Sequence, residues 1–135
     1  MSWTVTVHGD PVPQGSKNAP TAGRVVDVSG ARLKAWRHDI GWNATAARNR
    51  AKVFVPADGP VALDVVFRVP AKGAGARAGF PAPVTPDTDK LLRAVLDALT
   101  GVAYGDDRQV TEIAACKRFP DEGEKTGVTI TVRTG

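Results

Sequence analysis

The stretch Pro86–Val110, PDTDKLLRAVLDALTGVAYGDDRQV, decides how the rest of the chain is read. Asp87 and Asp89 stand two residues apart, and an extended segment places both on the same side. From Asp89 to Leu99 the spacing predicts a helix. At about 100° per residue, Leu91, Leu92, Val95, Leu96 and Leu99 share one face, with Ala94 and Ala98 at its edge. Asp89, Arg93 and Asp97 form a row on the other face. After a glycine-containing turn the chain returns to a second acidic pair, Asp106 and Asp107. So many carboxylates in one short stretch call for a compensating cation, and hard divalent ions such as Mg²⁺ prefer oxygen ligands of this kind. Each acid also has an ordinary role open to it. Asp89 suits a helix N-cap, Asp97 an ion pair with Arg93, and Asp106 and Asp107 a turn.

Working outward, Val61 to Val69 alternates Val61, Leu63, Val65, Phe67 and Val69 on one side and predicts a strand, as do Trp3, Val5 and Val7 in Trp3–His8. Leu33, Trp36, Ile40, Ala44 and Ala47 predict an amphipathic helix over Ala31–Ala51, with Ser29 as its cap and Arg32, Lys34, Arg37, Arg48 and Arg50 opposite. Trp36 belongs to the core stripe and Trp42 lies off it. Gln109–Phe119 and Gly127–Arg133 read as two final strands joined by the acidic turn Pro120–Lys125. The order β-α-β-α-β-β predicts an α/β (α+β) fold: a single domain over 1–135, with a mixed sheet of about four strands and two main helices.

Two connections are long. Gly9–Ser29 carries Pro11, Pro13 and Pro20, and its Gln14, Ser16, Lys17 and Arg24 offer phosphate contacts, with Gly15 allowing close backbone approach. A solvated loop with incidental charges is the plainer reading. Ala71–Thr85 is rich in Gly, Ala and Pro and predicts a flexible loop, with Lys72 and Arg77 able to close over substrate.

Composition narrows the class. No apolar run approaches the roughly 20 residues that span a bilayer, and MSWTVTVHGD lacks the features of a signal peptide. The single Cys116, with only His8 and His38, leaves no intramolecular disulfide and no zinc cluster. A cytoplasmic setting follows as the expectation. Charge is unevenly placed. Pro86–Val110 holds five Asp against Lys90, Arg93 and Arg108, a local net of −2, so a total of +4 leaves +6 on the remainder. A basic body around a small acidic spot suits a metal-using enzyme that acts on a polyanion.

The central string resembles the signature of the RusA-like Holliday junction resolvases, metal-dependent endodeoxyribonucleases of bacteria and their phages. That pattern runs Asp-x-Asp-Asn, a basic residue four positions after the second Asp, a helix ending Asp-x-Leu-x-Gly, then Asp-Asp-x-Gln-Val/Ile. The GDPVPQGSK loop, the Trp36-Arg37 pair and Lys117 ahead of the final strands are also similar to phage-type members. The resemblance implies that Asp87, Asp89 and Asp107 are catalytic carboxylates holding Mg²⁺ or Mn²⁺, with Asp106 as their neighbour. It puts the family's catalytic basic residue at Arg93, and Lys90 where the family usually has Asn.

From this follows the expected activity: a homodimeric, Mg²⁺-dependent crossover junction endonuclease that resolves four-way DNA in recombination and repair. Lys17, Arg24, Lys34, Arg37, Lys72, Arg77 and Lys117 are the expected DNA contacts. A nuclease for flaps or forks, and a non-catalytic DNA-binding module of the same fold, remain the alternatives. A sugar-transfer enzyme using Asp-Thr-Asp is disfavoured, because no nucleotide-binding Gly-rich loop accompanies the motif.

Overall fold

Alternation of period two in three segments, and of period 3.6 in two, generates the architecture of the computed structural model, which describes residues 1–15, 28–73 and 75–135. The elements are β1 (Ser2–His8), α1 (Val28–Arg50), β2 (Val61–Arg68), α2 (Thr88–Leu99), a 3₁₀ turn (Asp107–Gln109), β3 (Val110–Arg118) and β4 (Gly127–Thr134). The sheet order is β1-β4-β2-β3. β4 pairs antiparallel with both β1 and β2, while β2 and β3 are parallel. The four-stranded mixed sheet and two helices therefore match the expected order. α1 starts at Val28, so Ser29 lies inside the helix rather than ahead of it as a cap.

Register stacks the apolar sets across the strands. Trp3, Val5 and Val7 lie opposite Val132, Ile130 and Val128, and these in turn lie opposite Leu63, Val65 and Phe67. Trp36, Ile40, Ala44 and Ala47 of α1 join the same buried cluster, as do Leu91, Ala94, Val95 and Leu99 of α2. Each fully buried Val, Leu, Ile or Phe contributes about 1.5–3 kcal/mol relative to exposure. The other sheet face is polar: the hydroxyls of Thr4 and Thr131 lie 3.0 Å apart, and Arg133 Nε donates to Asp64 at 2.9 Å. Gly127, opposite His8, has φ +154°, and a Cβ there would lie 2.2 Å from the Val7 carbonyl oxygen. Only glycine lets β1 close on β4 at that point. No helix among the described residues is long and apolar enough to cross a membrane.

The 71–85 connection departs from the expected flexible loop, because its second half is fastened to the end of β3. Ala82 N donates to Lys117 O at 3.1 Å, Phe119 N to Phe80 O at 2.9 Å, and Gly79 N to Pro120 O at 3.1 Å. Backbone groups at a sheet edge need partners, and Phe80–Ala82 supplies them. Beyond that patch nothing among the described residues pairs with the outer edge of β3, and Thr111 to Cys116 are all exposed.

The Pro120–Lys125 turn is held by charge. Arg118 donates to both Glu124 oxygens, at 2.8 and 3.1 Å, and buried Arg68 donates to Lys125 O at 3.1 Å. The hydrogen bond from Arg118, with a second from Asp121 N, brings the Glu124 carboxyl down to about 2 from its usual 4.5. A depressed folded-state pKa gives stability that is present above the unfolded value and lost as pH falls through the folded one. The melting-temperature advantage of wild type over Glu124→Gln should therefore be flat above about pH 4.5 and shrink towards about pH 2. A pH-independent difference would remove this assignment.

Candidate active site

α2 presents its first acids with little holding them. Asp87 is the N-cap, in extended conformation (φ −66°, ψ 143°), and its side chain makes no capping hydrogen bond. Asp89 is in the first turn rather than at the cap. Both are exposed, and neither carboxylate has a hydrogen bond or ion pair among the described residues. The positive end of the helix dipole favours anionic groups here.

What aims this end of α2 is Lys117. Its Nζ donates to Val84 O and, at 2.6 Å, to Pro86 O. The ammonium expected on DNA is thus engaged by the backbone immediately ahead of Asp87.

Farther along α2, the exposed row of Asp89, Arg93 and Asp97 is as the helical spacing predicts. The partner of Asp97 is not. Its Oδ2 accepts from Gln14 Nε2 at 2.6 Å, Gln14 Oε1 accepts from Arg37 Nη1 at 2.8 Å, and Gln14 N donates to Lys90 O at 3.0 Å. A neutral amide thereby bridges a cation on α1 and an anion on α2. Arg37 is half-buried in this relay, and Asp97 is not paired with Arg93. No local sequence signal marks this contact, since Gln14 and Asp97 are 83 positions apart. Arg93 is exposed with no ion pair among the described residues, and Lys90 beside it is half-buried.

The second acidic pair divides into two roles. Asp106 caps the 3₁₀ turn: its Oδ1 accepts from Arg108 N at 2.9 Å, while Gln109 Oε1 accepts from Asp106 N at 3.0 Å. Gln109 Nε2 reaches Ala57 O and Gly59 O at 2.9 and 3.0 Å, fixing the turn to the segment before β2. Asp107 is left exposed, with no hydrogen bond or ion pair to its side chain among the described residues. It belongs to the far end of α2. Buried Tyr104 donates to Leu96 O at 2.8 Å, and its hydroxyl pKa is raised by burial first, then by the charges of Asp107 and Asp97. From Asp87 to Leu96 the helix advances about 13 Å along its axis.

The three carboxylates are accordingly not brought together within one chain. Among the described residues no three His, Cys, Asp or Glu side chains form a group that could hold a metal ion. Asp87 and Asp89 fit a hard cation as exposed oxygen donors; the intact three-residue set does not. Of the expected DNA contacts, Lys34 and Lys72 are exposed, Arg77 stacks over Phe80 at 5.5 Å, and Lys17 and Arg24 lie outside the described residues.

The family model of endodeoxyribonuclease RusA matches residues 8–133. The chain belongs to the RusA endodeoxyribonuclease family. The uncharacterized protein YqaN of Bacillus subtilis (strain 168) is similar as well, at 30% identity over 128 residues and 87% of each chain. RusA proteins are nucleases that act on DNA, and the match takes in both acidic pairs, Arg93, Lys117 and the Gln14 relay.

The geometry of this RusA chain separates the two adjacent acids by what each would cost to remove. Asp106→Ala loses an N-cap and should destabilise by about 1 kcal/mol. Asp107→Asn should stay within about 0.5 kcal/mol of wild type. Urea unfolding of both variants checks this, and equal losses would contradict the division.

Proposed function

We propose that this RusA-family chain is a Mg²⁺-dependent, structure-specific endodeoxyribonuclease that resolves four-way DNA junctions by paired phosphodiester hydrolysis in the bacterial cytoplasm. The observation that carries the reading is the pair of exposed carboxylates, Asp87 and Asp89, without a partner among the described residues, at the start of a helix whose lead-in is pinned by Lys117. Two neighbouring acids, Asp89 one turn from Arg93, are poor as a surface but good as a seat for a cation beside a phosphate.

Asp87 and Asp89 would hold Mg²⁺ or Mn²⁺, and a bound ion supplies an activated water and neutralises phosphate charge. Arg93, one helical turn on, would place its guanidinium against a non-bridging phosphate oxygen and stabilise charge in the transition state. It keeps its proton at ordinary pH, so its contribution is charge and orientation rather than proton transfer to the departing 3′ oxygen. Lys90 adds a second cation for the same phosphate. Lys34, Lys72 and Arg77 would carry the arms of the junction, a contact set that weakens as salt rises. Cutting two opposed strands requires two sites, which a homodimer provides.

A labelled four-way junction incubated in Mg²⁺ beside linear and flapped duplexes tests the reading. Wild type should give symmetric paired nicks in the junction only. Asp87→Asn should cut about 100-fold more slowly or worse while still binding the junction, since it removes charge and little volume. Undiminished cutting by Asp87→Asn, or binding without cutting in both Mg²⁺ and Mn²⁺, would overturn the proposal.

A further inference from the structure

The start of β1, the end of β4 and the end of α1 meet around a cavity of about 220 Å³. It lies at the opposite end of the sheet from Lys117. In the strand register Lys117 is level with Phe67, Val128 and Val7, whereas Met1 and Thr134, which line the cavity, close the β1–β4 ladder at its other end. Trp3, Val53, Val55, Pro56, Ala57 and Ala103 give the cavity apolar walls. Its rim is apolar too: Met1 and Val55 are 72% and 67% exposed, and Phe54 beside Val55 is 64% exposed. Large apolar side chains gathered in the open mark a contact surface.

One buried cation lines the same space. Arg48 is 9% exposed; its Nη1 donates to Val102 O at 3.0 Å and its Nη2 to Asn49 Oδ1 at 3.1 Å. Nε is buried without a partner, and the guanidinium has no ion pair among the described residues. Of the five N–H groups of a guanidinium, the one on Nε and one on each Nη therefore stay available. Asp58, which also lines the cavity, is exposed and makes no ion pair with Arg48. A guanidinium keeps its charge at ordinary pH, and a buried charge without a counter-anion is costly.

We propose that this cavity docks the C-terminus of a partner polypeptide, taking its last, large apolar side chain between Val53, Val55 and Pro56 and its free α-carboxylate on Arg48. Charge and size choose that occupant. The two oxygens of a carboxylate match the guanidinium fork. A phosphate meets the same cation but brings nothing to the apolar walls. The volume is below the roughly 300 Å³ at which pockets begin to enclose whole small molecules, and it suits one side chain. A chain terminus carries both groups on one carbon, and its preceding residues lie over the rim of Met1, Phe54 and Val55. The wall is built in advance: Ala57 N donates to Ala103 O at 2.9 Å, and Ala57 O accepts from Gln109 Nε2 at 2.9 Å. Such a preformed site avoids the cost of ordering it on binding. Docking here leaves Asp87 and Asp89 open to DNA, so the partner would hold the chain in place without competing with substrate. The inference does not rest on the metal reading.

Isothermal titration of the wild-type chain with acetyl-Gly-Ser-Gly-Phe bearing a free C-terminus should show one saturable site with a Kd below about 1 mM. The same peptide as its C-terminal amide should bind about tenfold more weakly or worse, and acetyl-Gly-Ser-Gly-Ser should not bind. Arg48→Met, with an unchanged circular dichroism spectrum, should lose the preference for the free acid. If that variant fails to fold, Val55→Asp, at an exposed rim position, should weaken binding of the free acid about tenfold. No saturable binding of the free acid by wild type, equal binding of acid and amide, or displacement of the peptide by equimolar inorganic phosphate overturns the proposal. So does a folded Arg48→Met or Val55→Asp chain that binds the free acid as wild type does.

Discussion

A single ammonium group, Nζ of Lys117, ties the sheet to the start of α2 through the carbonyls of Val84 and Pro86. Charge-assisted hydrogen bonds contribute about 1.5–3 kcal/mol each, and these two act where the backbone could otherwise splay away from β3. The direction of α2 follows from them, as does the exposure of Asp87 and Asp89 at its tip. Gln14 does the corresponding work farther along the helix, holding the loop after β1 against Lys90 and Asp97. The acidic face of α2 is thus fixed at two points by residues distant in sequence.

Much of the fold was legible because it rests on periodicity. The alternation in Val61–Val69 is buried as expected, and of the leucine face of Asp89–Leu99 the helix buries Leu91, Val95 and Leu99 and leaves Leu92 and Leu96 half-buried. The site was legible in part. The helical wheel placed Asp89, Arg93 and Asp97 on the open side, where they are found. It gave no view of what they meet, because hydrogen bonds across 83 positions leave no local trace. Hence Asp97 and Arg37, read as a helix ion pair and a DNA contact, prove to be joined through Gln14. Lys117 was found by resemblance, yet its contacts are with backbone. Asp106 and Asp107 look alike in sequence, and only the cap on the 3₁₀ turn tells them apart.

Electrostatics explains why the acids lie where they do. Three bare carboxylates at one point repel strongly, and a folded chain without a counterion does better to keep them apart. Among the described residues Asp107 forms no such group with Asp87 and Asp89, and that cost is absent.

The most direct test is anomalous scattering from crystals grown with Mn²⁺. The account places the peak between Asp87 and Asp89, at about 2.1 Å from the ligating oxygens. A peak remote from Asp87 and Asp89 would contradict it.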